Sequence, residues 1–259
     1  MDNFNFDEDI IEEEEVRQYC DQCQRPIRTC WCQYLPKPKI KLSKTKVIII
    51  QHPNETKRAI RTAKMLEHGL EDCLIFVRRK VMTLEIKDNL SSEEKTLRSW
   101  LSHPGAHLLF PRKNAKTPEQ LHNSNLEEMV LIVLDGTWDE AKKMYSWSPA
   151  LQALPKIILD LSKSQVQSQF VIKTQPNNKC LSTVECVAHT LAVFENRPEI
   201  VENLTKPLLA MCSIQISHGA VKHESKEFKK DVASFTKENC RKNKSNVVTT
   251  INNTLEQNN

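Results

Sequence analysis

Met129-Val130-Leu131-Ile132-Val133-Leu134-Asp135-Gly136-Thr137-Trp138 decides how the rest of this chain is read. Six apolar residues run without a polar break, as in a strand buried on both faces. Asp135 closes the run and Gly136 breaks it. Thr137 then opens a helix predicted over roughly 137–145. A buried strand passing straight into a helix is half of a βα unit. In sheets built from such units, ligands sit outside the carboxyl ends of the strands. Asp135 occupies that place.

The same alternation extends outward in both directions. Val47–Gln51 reads as a buried strand, followed by a helical pattern over 55–68 with Gly69 as its C-cap. Cys73–Val77 and His107–Phe110 read as strands, the second stopped by Pro111. Ser91-x-x-Glu94 and Ser182-x-x-Glu185 are capping-box patterns, opening helices through about Leu101 and Glu195. Lys156–Leu161 and Ser168–Thr174 read as further strands, and 198–217 as a helix interrupted at Pro207. The fold class is therefore α/β, a mostly parallel sheet flanked by helices.

Composition excludes several alternatives. Four glycines, Gly69, Gly105, Gly136 and Gly219, leave no Gly-x-Gly-x-x-Gly turn and no phosphate-cradling P-loop. No apolar run is long enough to span a bilayer, and the mean hydropathy is −0.51, so no membrane role is expected. The acidic N-terminus resembles neither a secretory signal nor a transit peptide. Residues 1–15 hold eight carboxylates and no Lys or Arg. Without them the chain has 37 basic against 25 acidic residues, a net +12. A basic body of this kind suits a polyanionic partner such as nucleic acid. The expected organisation is an acidic disordered leader over 1–18, a cysteine knuckle over 19–34 and a basic linker over 35–46. A catalytic domain over 47–221 and a disordered Lys/Asn-rich tail over 222–259 follow. The expected address is cytoplasmic, nuclear or both.

Two motifs carry chemistry. Cys20-x2-Cys23-x6-Cys30-x-Cys32 places four of the nine cysteines within thirteen residues. Two close pairs turned inward supply the tetrathiolate that Zn²⁺ prefers, and a closed site of this kind is structural. The knuckle also brings Arg25, Arg28 and Trp31 forward as candidate RNA contacts. In Asp135-Gly136-Thr137-Trp138, a carboxylate leaves a buried strand beside a Gly that lets a ligand approach the backbone. Thr137 either caps the helix or binds a ligand, and Trp138 is either a core residue or a plane for a base. His52, His103, His107, His122 and His189 lack metal-ligand spacing and read as packing or surface residues.

Asp135-Gly136-Thr137-Trp138 resembles the Asp-x-Thr-Trp signature of the DTW-domain family. His52-Pro53-Asn54-Glu55 resembles the family's His-Pro-x-Glu. Leu109-Phe110-Pro111, Leu154-Pro155, Gln175-Pro176 and Leu181-Ser182-Thr183-x-Glu185 resemble its downstream landmarks, in order, and the four cysteines match as well. The resemblance covers about residues 19–220. It implies a tRNA-uridine aminocarboxypropyltransferase with a SPOUT-like fold and a knotted cofactor region. The implied donor is S-adenosylmethionine (SAM), whose 3-amino-3-carboxypropyl arm goes to N3 of a D-loop uridine, leaving 5′-methylthioadenosine. A homodimer is compatible with that class.

Under that implication each part has a candidate. The uridine N3–H must lose its proton, and Asp135 is the candidate base, with stabilisation of the sulfonium as its other role. Pro111, Gly136, Thr137, Trp138, Ser182, Thr183 and Glu185 are candidates for the cofactor pocket. For Ser182 and Glu185 a helix cap is the competing role. Arg58 and Arg61, at i and i+3 on the first helix, would meet the donor's carboxylate or RNA phosphate, or form a solvated face. Arg78, Arg79 and Lys80 are further phosphate candidates. Arg61-Thr62 stands where family members often have Asn-Thr. Phe170 and Lys173 stand where they often have an aromatic and an Arg. The alternatives are methyl transfer to rRNA or tRNA, and a non-catalytic zinc-knuckle RNA adaptor.

Overall fold

The computed structural model describes residues 17–223 except 86, 88, 124–125, 161–165 and 175–179. Nearly all of the acidic leader, the tail beyond His223 and the Gln175-Pro176 landmark lie outside the described residues.

Five strands form one parallel sheet: β1 (Thr45–Gln51), β2 (Cys73–Val77), β3 (Ala106–Leu109), β4 (Met129–Asp135) and β5 (Lys156–Ile157). Their spatial order is β2-β1-β4-β3-β5, which puts the most apolar strand at the centre. All seven residues of β4 are buried, the outcome that an unbroken apolar run requires when both faces are covered.

Side chains alternate across the sheet, so the central strands β1 and β4 feed two cores. Val47, Ile49, Leu131 and Val133 face one side, against α1 (Ala63–Gly69), α6 (Thr183–Phe194) and α7 (Glu199–Ser217). Ile48, Ile50, Ile132 and Leu134 face the other, against α2 (Ser92–Leu101), α4 (Trp138–Ser146) and α5 (Pro149–Ala153). The short α3 (Pro118–His122) adds Leu121 to the first core. Among the described residues no helix is long and apolar enough to cross a membrane.

The knuckle belongs to the first core. Trp31 is 2% exposed and Leu35 and Cys32 are buried with it, packed with residues of α1 and α7. Trp31 is thus a core residue and is not presented to RNA. Gln24 takes a positive φ of 58° and closes the turn, with its amide donating to the Cys20 carbonyl at 2.7 Å.

Several expected elements differ. The helix predicted over 55–68 is a 3-10 turn, Pro53–Lys57, then extended backbone at Arg58, then α1. Arg58 and Arg61 therefore do not share a helix face. Gly69 is the last helical residue, and Leu70 is the C-cap. At α2 only half of the capping box forms. Ser91 accepts the Glu94 amide, but the Glu94 carboxylate goes to Arg78 and Arg98. β5 is limited to two residues of the predicted Lys156–Leu161. Ser168–Thr174 is not a strand at all. Phe170 and Ile172 are buried while Gln169 and Lys173 are exposed, but the backbone turns at 171–173, so the twofold pattern reflects an irregular segment laid on the helical core rather than a sheet. Pro207 sits inside a continuous α7.

Candidate active site

The carboxyl ends of β1 and β4 meet in register, with Gln51 opposite Asp135. Both are buried, at 4% and 5% exposure. The Gln51 side-chain amide donates to Asp135 Oδ2 at 2.9 Å, and the Thr183 hydroxyl donates to Oδ1 at 2.8 Å. The His52 amide donates to the Asp135 carbonyl at 2.8 Å. Asp135 is thus fixed by three bonds from two segments distant in sequence, Gln51-His52 and Thr183. Burial raises its pKa, and the bonds from Gln51 and Thr183 and the charges of Lys173 and Arg58 oppose that rise.

A second carboxylate lies beside it. Glu55, buried in the 3-10 turn, also has a raised pKa, from burial and then from the charge of Asp135, with Arg58 and Lys173 opposing. Arg58 reaches Glu55 with one nitrogen and both oxygens of Glu140 with another, at 3.2 Å. This is possible because Arg58 leaves the 3-10 turn with extended backbone. Its guanidinium is held by two carboxylates of the protein itself.

Glu140 completes the cluster. Against burial, the Thr137 amide, the Asn54 side chain, the Thr137 hydroxyl and Arg58 hold its pKa down at about 2. Thr137 and Glu140 form a reciprocal capping box at the start of α4. Thr137 therefore acts as a cap. Gly136 is crowded from within the protein. A Cβ there would lie 3.2 Å from the Glu140 Cβ and 3.4 Å from the His52 Cβ. His52, read from sequence as packing or surface, sits in the site, with Nδ1 3.2 Å from the Asn54 amide and 3.4 Å from Glu140.

Trp138 is half exposed and not a core residue. Its ring stacks on Phe110 at 5.6 Å, and Phe110 stacks on Tyr145 at 4.6 Å. The Arg112 guanidinium covers the Tyr145 ring at 4.5 Å. Pro111 follows Phe110 and is exposed. An aromatic face thus stands next to the carboxylate cluster.

At α6 the cap is complete. Ser182 accepts the Glu185 amide, and Glu185 accepts from the Ser182 amide at 2.7 Å. Glu185 also accepts from the Gln169 amide at 2.6 Å and the Ser168 hydroxyl at 2.9 Å. It pins the 168–170 segment to the helix start, and Thr183 in the same turn reaches Asp135.

The candidate basic residues divide. Arg78 is held by Glu93 and Glu94, Arg25 donates to the Thr29 and Ala59 carbonyls, and Arg61 donates to the Thr56 carbonyl. Arg28, Arg79 and Lys80 are exposed.

Residues missed in the sequence are Gln51, Glu55, Glu140 and Lys173 as partners of the site. The His-Pro-x-Glu and Thr-x-x-Glu patterns contain Glu55 and Glu140. Nothing in Gln51 distinguishes it, and Lys173 stands out only as a Lys where family members often have an Arg.

The knuckle sulfurs fit a tetrahedral metal. All four Sγ atoms lie within 4.8 Å of one another, with Cys20 to Cys32 at 3.8 Å and Cys23 to Cys30 at 3.7 Å. A tetrahedron with Zn–S bonds of about 2.3 Å has edges of about 3.8 Å. Burial raises the Cys30 and Cys32 thiols, whereas the Cys23 amide lowers Cys20 to about 7.

The sequence matches the DTW domain family over residues 17–216. It is 38% identical over 214 residues to a Drosophila melanogaster protein named tRNA-uridine aminocarboxypropyltransferase 2, covering 82% of this chain and 80% of that one. A Mus musculus protein of the same name is 36% identical, over 84% of this chain and 70% of its own. An Arabidopsis thaliana protein named tRNA-uridine aminocarboxypropyltransferase A is 28% identical, over 72% and 76%. No solved structure matches the chain.

Proposed function

The chain belongs to the DTW-domain family, and from that premise we propose that it is a tRNA-uridine aminocarboxypropyltransferase. Its substrate is a D-loop uridine and its donor SAM. The observation that carries this reading is the buried Asp135, held by Gln51 and Thr183 at the carboxyl edge of the sheet.

Bound SAM supplies an electrophilic carbon attached to a sulfonium, with 5′-methylthioadenosine as the leaving group. Three carboxylates, Asp135, Glu55 and Glu140, face two cations, Arg58 and Lys173. That excess of negative charge suits a sulfonium. Asp135 takes the N3 proton as the N3–carbon bond forms, directly or through one water. Gln51 and Thr183 bond both of its oxygens and hold it for that transfer. Glu55, Arg58 and Glu140 fix the floor of the site. Trp138, braced by Phe110, offers its free face to the uracil or adenine ring.

Zinc in the four-cysteine knuckle is structural in this reading, since its thiolates are packed against the core. The reading includes a SPOUT-like fold with a knotted cofactor region, and the parallel strand order β2-β1-β4-β3-β5 supports the sheet that such a fold needs.

The test is incubation of the full chain with SAM and unmodified tRNA, with mass spectrometry of nucleosides and coproduct. The expected products are 3-(3-amino-3-carboxypropyl)uridine and methylthioadenosine. A methylated base with S-adenosylhomocysteine would refute the group transferred. tRNA binding without any modification would favour the adaptor.

A further inference from the structure

The helix that begins beside Asp135 ends at a second aromatic side chain. Trp147 follows α4 and is 53% exposed. Met82 lies beside it, 55% exposed. Arg79 and Lys80 complete the surroundings, and the four residues line a hollow of about 500 Å³. Unlike Arg78, these two cations are exposed and have no ion pair among the described residues.

The hollow is firmly built. The Val81 amide donates to Ser148 Oγ at 2.9 Å, and both residues are buried. That bond fastens the 79–82 segment to the end of α4. Both walls also lead back to Asp135. The segment leaves β2 at Val77, which pairs in register with Gln51, and the Arg78 amide donates to the Gln51 carbonyl at 3.0 Å. Trp147 lies one helix away, since the nine residues of α4 span about 14 Å.

We propose that this hollow binds an unpaired nucleotide of the substrate RNA near the one modified. Its base lies on the Trp147 indole and its phosphates lie at Arg79 and Lys80. The proposal rests on the tRNA reading above. A flat aromatic face flanked by two free cations matches a nucleotide in both shape and charge. Stacking uses the exposed indole, which a purely electrostatic partner would leave unused.

The test measures tRNA binding and steady-state turnover of the full chain and of Trp147→Ala, Trp147→Phe and Arg79→Ala/Lys80→Ala. Trp147→Ala should weaken binding about tenfold or more and raise KM with kcat unchanged. Trp147→Phe should recover most of the loss. The double variant should flatten the salt dependence of binding by a slope of about 1 to 2. Wild-type affinity and KM in Trp147→Ala would overturn the proposal while leaving the tRNA reading intact. So would unchanged tRNA binding combined with lost binding to anionic phospholipid vesicles, which would assign the patch to a membrane surface. A wild-type chain that neither binds nor modifies tRNA would overturn both.

Discussion

The Thr183 hydroxyl donates to Asp135 Oδ1 at 2.8 Å, across 48 residues of sequence. It joins the first turn of α6 to the end of β4. A hydrogen bond to the ionised carboxylate favours that form, so Thr183 opposes the rise in pKa that burial imposes. A base works only when deprotonated. Turnover should therefore fall as pH drops through a value above the ordinary carboxylate range. Thr183→Val should move that acid limb up by about one pH unit. The kcat–pH profile checks this, and an unmoved limb would mean that another group titrates.

Asp135→Asn should lower kcat by at least about 10²-fold while tRNA affinity stays within about twofold. Its effect on stability should have the opposite sign. A carboxyl whose folded pKa is raised contributes stability that is full at low pH and is lost as pH rises through the folded value. Asn at 135 carries no such loss. Its thermal midpoint should match that of wild type near pH 3 and be no lower at pH 7. A clearly lower midpoint at pH 7 would mean that the carboxylate is structural.

Glu140 behaves in the reverse sense. Its pKa of about 2 in the folded chain lies below the unfolded value near 4.5. Its stabilisation is present above pH 4.5 and disappears as pH falls through about 2. Glu140→Gln should cost about 2 kcal/mol at pH 7, with the gap closing toward pH 2. Urea melts of both proteins across that range would show it.

Glu185 accepts three hydrogen bonds while 2% exposed. Glu185→Ala leaves those donors unpaired and should cost about 2–4 kcal/mol. Hydrogen exchange should rise first at the Gln169 amide. Protection there equal to that of wild type would refute the pinning role.

The knuckle should hold one zinc per chain, measurable by elemental analysis. Chelation, or Cys32→Ser, should remove the metal and destabilise the fold by several kcal/mol. An unchanged melting curve after metal loss would contradict the packing of Trp31.

The strands were legible because a strand buried on both faces must be apolar throughout, and β4 meets that condition without exception. Asp135 was legible as the polar residue that ends the run. The four-cysteine spacing was legible because ligands to one metal lie close in sequence. Gln51 was not, because its role comes from β1–β4 register, which no local pattern encodes. Arg58 was misread because the apolar spacing of 55–68 mimics a helix, while Ala59 is in fact exposed and Arg58 is extended. Ser168–Thr174 was misread because alternation reports which side chains are buried and not what the backbone bonds to. Here Glu185 takes the place of a neighbouring strand.

The burial of Trp31 between the knuckle and α1 and α7 has a consequence for modularity. A finger that only decorates a domain can be excised, transplanted or duplicated by recombination. Here excision has a cost, because a chain begun at β1 would expose the apolar floor on which Trp31 and Leu35 rest. The four-cysteine segment and the sheet share one core, so neither is covered without the other.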